Sequence, residues 1–313
     1  MLTVEVHATS HIGRVRKGNE DNYLVLNIDA SQTWTSEQDS HSFPVESQKL
    51  EVGDDGLILA VSDGMGGALA GEVASKMAVE GVSKRLLDGD PDRTLGDEET
   101  DGESLIEKLY EATVHANSEI HRQGRSDPQF NGMGATFTAA AVTRHELDVI
   151  QVGDSRAYVV RNGEITQVTK DQSLVQQLID ANQIKPEEAE THALKNVILQ
   201  ALGAQSEVFP VPCRIAPCRG DVLLLCSDGL SNKLHAEDML RTVKKHSADL
   251  DKACAEMVRI ANERGGEDNI TIVLARLDGD DLTASADGAV DVEQLIFNDM
   301  PDHEDLEITA DPV

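Results

Sequence analysis

Short runs in which apolar residues alternate with polar ones, or follow one another without interruption, recur along the chain and predict β-strands. They fall at 3–8 (TVEVHA), 22–28 (NYLVLNI), 57–62 (LILAVS), 135–142 (ATFTAAAV), 147–153 (LDVIQVG), 156–160 (RAYVV), 221–227 (DVLLLCS) and 269–277 (NITIVLARL). A different period appears after Gly67, where Ala70, Ala74, Ala78, Val82 and Leu86 recur every fourth position. Leu250, Ala253, Met257, Ile260 and Ala261 repeat that spacing. Both stretches predict amphipathic helices with one apolar face, suited to packing on a sheet. Between Tyr158–Val160 and Ile165–Val168 stands Asn162-Gly163, a dipeptide suited to the positive backbone angles of a tight hairpin. Antiparallel pairing follows, and a purely parallel doubly wound sheet is excluded.

Three segments break the pattern: Asp29 to Asp55, Asp88 to Glu103, and everything after Leu277. They are expected to lie outside the core. No Lys or Arg occurs after Arg276, so the last segment reads as a disordered acidic tail or a docking peptide. The expected division is 1–277 for the folded domain and 278–313 for the tail. Within that tail Val290, Val292, Leu295, Ile296 and Phe297 form an apolar island, which a merely solubilising extension does not require.

Charge narrows the function. Asp and Glu number 57 against 27 Lys and Arg, a net charge of −30, and binding to nucleic acid or an anionic membrane needs clustered cations instead. Carboxylates are also the ligands that hard divalent metals select. The N-terminus MLTVEVHATS has no basic segment leading into an apolar run, and no stretch reaches the ~18 apolar residues of a membrane span. A cytoplasmic protein is expected. Cys213, Cys218, Cys226 and Cys254 contain no CxxC pair, which argues against zinc.

The chemistry lies at the ends of the strands. Two apolar runs end alike, at Ser62-Asp63-Gly64 and Ser227-Asp228-Gly229, and two others begin alike, at Glu20-Asp21-Asn22 and Glu267-Asp268-Asn269. An aspartate at a strand end is rigidly held yet points beyond the sheet, and a following glycine admits backbone or ligand. Gly153-Asp154-Ser155-Arg156 marks another such end, and Arg16 precedes Asp21 by five residues. Carboxylates gathered in one place repel each other unless cations neutralise them. An all-oxygen set suits Mg²⁺ or Mn²⁺, and a nearby guanidinium can grip two phosphate oxygens as a planar fork.

Taken in order, GRVRKGNED, VSDGMGG, MGAT, VGDSRAY, CSDGL and GGEDNITIV resemble the type 2C, metal-dependent protein serine/threonine phosphatases. The likeness runs from about Val4 to Leu277, and the DGMGG form is similar to bacterial members. It implies an α+β fold, a four-layer α-β-β-α sandwich of two antiparallel sheets with outer helices. It also implies a site: Asp63 bridging two Mg²⁺ or Mn²⁺ ions, Asp228 and Asp268 completing one of them, and the Gly64 carbonyl serving the other. Glu20 and Asp21 contribute directly or through water, Asp154 joins Asp228 in a third-metal site, and Arg16 holds the substrate phosphate. The implied reaction is hydrolysis of phosphoserine and phosphothreonine in proteins by a metal-activated hydroxide, opposed by a serine/threonine kinase. Members with DGHGG place a histidine near the leaving group, where this chain has Met65. The general acid is therefore open between water on a metal and His192, in the segment 171–196 that resembles the family's flap. Two other readings stand beside this one, a catalytically silent regulatory module of the same fold and a different two-metal hydrolase such as a nuclease.

Overall fold

The computed structural model describes residues 2–36, 42–88, 103–189, 191–285 and 287–297. One antiparallel sheet contains β1 (Leu2–His11), β4 (Gln48–Val52), β9 (Arg156–Arg161), β10 (Glu164–Gln167), β12 (Val222–Cys226) and β13 (Ile270–Gly279), in the order β10-β9-β12-β13-β1-β4. The other contains β2 (Asp21–Asn27), β3 (Gln32–Thr35), β5 (Leu57–Met65), β7 (Phe137–Val142), β8 (Leu147–Val152), β11 (Val211–Ile215) and β14 (Glu293–Gln294), in the order β14-β11-β8-β7-β5-β2-β3. A short β6 (Gly134–Ala135) pairs with the end of β5. The helices are α1 (Ala68–Asp88), α2 (Leu105–Ser126), α3 (Leu174–Asp180), α4 (Pro186–Ala189), α5 (Asp228–Ser231), α6 (Ala236–Lys245) and α7 (Leu250–Glu263).

Alternation along each strand builds the layers. On β5, Leu57, Leu59 and Val61 face the space between the sheets, where they meet Val4, Val6, Leu223, Leu225 and Val273. Ile58 and Ala60 point the other way, into a core shared with α1 and α2. On β12, Leu224 and Cys226 likewise face α6 and α7. Strands buried on both faces read as continuous apolar runs, which is why these were the plainest in the sequence. The result is the expected four-layer α-β-β-α sandwich. Ala70, Ala74, Ala78 and Val82 are buried along α1, and Leu250, Ala253, Met257 and Ala261 along α7. The hairpin forms at Asn162-Gly163, with φ of 45° and 82°, joining β9 to β10.

Two expectations about the margins are corrected. The stretch from Asp29 to Asp55 contributes β3 and β4, and Phe43, Leu50 and Val52 enter the core between the sheets. These are short edge strands with polar outer faces, such as Lys49 and Glu51, so little apolar signal marks them. The chain after Leu277 also differs from a detached tail. Leu282 is buried, and Val290 and Val292 pack on the inter-sheet core. Glu293 and Gln294 add β14 to the edge of β11, Leu295 and Phe297 reach the α1–α2 core, and Phe297 meets Tyr110 edge-on at 5.1 Å. Arg161 donates through Nη1 to the Ala289 carbonyl at 3.0 Å while its Nε and Nη2 clasp Asp221. The boundary after Leu277 therefore moves to Phe297 or beyond. Of the third margin, residues 89–102 lie outside those described. Among the described residues no helix is long and apolar enough to cross a membrane.

Candidate metal centre

Strand pairing brings the aspartates together. Asp21 opens β2 and stands opposite Asp63 near the end of β5. Asp228 follows β12 at the start of α5, and Asp268 precedes β13, the neighbour of β12, in which Cys226 pairs with Ile272. Asp154 lies in the turn that carries the chain from β8 in one sheet to β9 in the other. Both sheets thus deliver carboxylates to a common edge.

Burial and mutual repulsion disfavour ionisation there. Burial, then the charges of Asp21, Asp228, Asp154 and Asp268, holds Asp63 well above the ordinary carboxylate range. Asp21 is pushed up to about 7, mainly by burial and against the Ser227 hydroxyl, which donates to its Oδ2 at 2.7 Å. Asp154 also reaches about 7, through burial and then Asp228 and Asp171. Asp228 is raised by burial and by Asp268. Glu20 is raised by burial, with Arg16 opposing the shift.

The donor set fits a hydrated hard cation. Oδ1 of Asp21 and Oδ1 of Asp228 are buried without a hydrogen-bond partner, and an orphaned buried carboxylate oxygen costs free energy that a cation would recover. Among the described residues no three His, Cys, Asp or Glu side chains converge closely enough to enclose an ion unaided. Mg²⁺-type sites need no such cage, because the ion keeps several waters and takes one or two carboxylates.

A set of polar residues fixes this edge. The Asp63 N–H donates to Thr136 Oγ1 at 2.9 Å, and that hydroxyl meets Ser155 Oγ at 2.7 Å. The Thr136 N–H returns to the Asp63 carbonyl at 2.8 Å. Asn269 accepts the Glu20 N–H at 2.8 Å and donates to the carbonyls of Ile12 and Gly18 at 2.9 and 3.0 Å, closing the loop that carries Arg16. Gly64 admits only a glycine, since a Cβ there would lie 2.1 Å from the Gly71 carbonyl oxygen and 2.6 Å from that of Glu20. Sequence reasoning assigned no role to Thr136, Ser155, Ser227, Asn269 or Gly71. The doubled Ser in SDG and Asn in EDN were the available signal, because a repeated neighbour of a ligand is a candidate to orient it.

Arg16 sits half-exposed at the mouth, its Nη2 2.8 Å from Asp268 Oδ2 and its Nη1 3.6 Å from Glu20 Oε2. The segment 171–196 is rooted at the Asp154 turn. Asp171 takes a two-pronged ion pair from Arg156 at 2.8 and 2.6 Å, and Gln172 binds the Gly153 N–H and carbonyl at 2.7 and 3.0 Å. His192 Nδ1 accepts the N–H of Leu194 at 3.2 Å, a contact within its own segment. That bond gives no support to the donor role.

The repulsion predicts a pH dependence. Carboxylates ionise near 4 in the unfolded chain and, for Asp21 and Asp154, near 7 in the folded one. The cost of this crowding is absent below the unfolded value, grows between the two, and is complete above the folded value. In chelator, Asp63→Asn should therefore melt about 2–4 °C above the parent protein near pH 8, with the gain vanishing near pH 4. Thermal melting across that range tests it, and an Asn variant less stable at pH 8 would contradict the crowding.

An α-β-β-α sandwich with aspartates gathered at one sheet edge defines the class of metal-dependent phosphatases. The chain belongs to the Protein phosphatase 2C family, whose profile matches residues 32–275. It is 38% identical over 218 residues to the serine/threonine protein phosphatase PstP of Mycobacterium tuberculosis, covering 70% of this chain and 40% of that protein. It is 35% identical over 270 residues to the serine/threonine phosphatase stp of Listeria monocytogenes, covering 85% and 93% of the two chains. The chain thus spans less than half of PstP and nearly all of stp. Among solved structures, the catalytic domain of PstP in complex with 2 manganese ions superposes with a TM-score of 0.68 at 33% identity, covering 89% of this chain and 100% of that one. Another crystal structure of the Mycobacterium tuberculosis phosphatase gives 0.69 at 32% identity, with 88% and 100% covered.

Proposed function

We propose that the chain hydrolyses phosphoserine and phosphothreonine in proteins with two Mg²⁺ or Mn²⁺ ions. The observation that carries this reading is the convergence of Asp21, Asp63, Asp154, Asp228 and Asp268 at one edge, two of them with orphaned buried oxygens. When bound, the ions supply Lewis acidity toward water and neutralise phosphoryl charge. Asp63, which feels four other aspartates, would be the carboxylate shared by the two ions. Asp228 and Asp268 would help hold one ion and the Gly64 carbonyl the other, Glu20 and Asp21 would contribute directly or through water, and Asp154 with Asp228 would offer a weaker third site, with waters filling the remaining positions. Thr136 and Ser227 hold Asp63 and Asp21 in place. Arg16 presents its fork to the substrate phosphate from the mouth, where the loop clamped by Asn269 keeps it. Met65 has no proton to give, so the proton for the leaving alkoxide must come from another donor, water being the one that needs no further side chain.

Phosphoproteins are the substrates, and a serine/threonine kinase is the opposing activity. A cytoplasmic place of work fits four unpaired cysteines. Phosphate release from a phosphothreonine peptide, with Mn²⁺ and with chelator, tests the reading. Turnover is expected only with the metal; equal release in both ends it. Arg16→Ala is expected to raise KM for the peptide about tenfold or more with a smaller fall in kcat, since it removes grip on the phosphate rather than the nucleophile. Steady-state kinetics in saturating Mn²⁺ decide this, and an unchanged KM refutes the role.

A further inference from the structure

A groove of ≈ 810 Å³ opens where the far end of α1, the first turns of α2 and the 206–209 loop meet Ile296 and Phe297 of the strap formed by residues 278–297. Arg85, on its border, lies seventeen residues along α1 from Ala68, about 25 Å from the helix end beside the carboxylates. Nothing in the proposed chemistry uses this groove.

Its lining is mixed, with Tyr110, Val114, Val208, Phe209, Ile296 and Phe297 as the apolar part. Ile296 is 76% exposed, so its side chain is open to a partner beside the other apolar residues of the groove. With these stand Glu103, Glu107, Glu111 and Glu207, and Arg85 is the one guanidinium or ammonium in the lining among the described residues. Hydrogen bonds from Ser104, and to a smaller degree the charge of Arg214, hold the Glu107 carboxyl below its usual range, and Arg214 is itself held by Asp148 and Glu146.

Charge decides what this surface takes. The residues following Phe297 include Asp299, Asp302, Glu304, Asp305, Glu307 and Asp311 with no Lys or Arg, so their composition does not supply the charge complement of these glutamates. A second copy, with a net charge of −30, does not supply it either. Apolar side chains and four glutamates sharing one lining match a basic segment bearing large apolar side chains, in which charge steers the encounter and the apolar anchors supply the affinity.

We propose that this groove docks a basic, apolar-anchored segment of a protein partner. A leucine or phenylalanine of the partner enters against Phe209, Tyr110 and Phe297, and flanking Lys or Arg residues face Glu207, Glu111 and Glu107. The site lies a helix length from the metal edge, so occupancy selects partners without touching the reacting phosphate.

The test uses the full chain and a fluorescein-labelled peptide alternating Lys with Leu and Phe, read by anisotropy at low and high salt. Binding is expected at low salt and is expected to weaken as salt screens the glutamates. The double variant Ile296→Asp/Glu207→Lys should bind at least about tenfold more weakly. Both positions are exposed, so folding is preserved, and melting temperature and hydrolysis of a small phosphate ester should match the parent. Glu237→Lys, at an exposed position of α6 in the opposite outer layer, should change binding less than about twofold. The proposal is overturned if the parent chain does not bind the peptide, if Glu237→Lys weakens it as much as the groove variant does, or if a peptide with Glu in place of Lys binds as well.

Discussion

Asp63→Ala and Asp228→Ala should each lose at least about a thousandfold in kcat on a phosphoserine peptide in saturating Mn²⁺, ~4 kcal/mol at the barrier. Asp63 faces carboxylates from both sheets, so its removal takes away the group best placed to hold two cations at once. Asp228 carries a buried oxygen with no protein partner, which suits a carboxylate that a bound cation would satisfy. Either substitution also relieves repulsion, so the fold should survive and melting in chelator should not fall. That separates the loss from simple unfolding. Arg16→Ala, by contrast, leaves every carboxylate in place and should act mainly on KM. A variant lacking Asp63 that retains a tenth of parental kcat would remove the bridging role; a variant that has lost activity because it has unfolded would show in the melt.

The contrast between core and margins explains what was legible in the chain. Strands such as β5 and β12 are buried on both faces, so hydrophobicity alone marks them, and their ends mark the site because Asp63 and Asp228 interrupt an apolar run. The same holds for Asp21 and Asp268, which begin such runs. Arg16 was placed by its nearness to Asp21, and the structure puts it at the same mouth, 2.8 Å from Asp268. The hidden part is the supporting set. Thr136 and Ser155 meet across a sequence gap of nineteen residues, and Asn269 reaches Ile12 across 257; no local pattern encodes such contacts. Short edge strands such as β3, β4 and β14 were also hidden, because one polar face and a few residues give neither period nor length. His192 shows the limit of residue type as a guide: imidazole chemistry suits an acid, but its hydrogen bond stays within its own segment.

Truncation after Leu277 should lower the melting temperature by at least about 10 °C. The acidic composition of residues 278–313 suggests a dispensable tail, and the contacts of its first half argue otherwise. Leu282 is buried, Val290 and Val292 cover the inter-sheet core, and Leu295 and Phe297 cover the α1–α2 core. A fully buried side chain of this size contributes ~1.5–3 kcal/mol; with four of the five only partly covered, about 5 kcal/mol is at stake. At ~2–4 °C per kcal/mol for a domain of this size, that gives the stated shift. The polar contacts add to it, since truncation also strips the Ala289 carbonyl from Arg161 and the Ser285 and Asp287 carbonyls from Asn162. Charge works in the opposite direction, because the lost segment carries acidic residues on an already acidic protein, which keeps the shift from being larger. Phe297→Ala should show a smaller drop in the same direction, as it removes only the edge-on contact with Tyr110 and its share of that core. Calorimetry of the parent, the truncated chain and Phe297→Ala in the same buffer makes the comparison. If the truncated chain melts within about 2 °C of the parent, the strap contributes nothing to the fold and the domain ends at Leu277 after all.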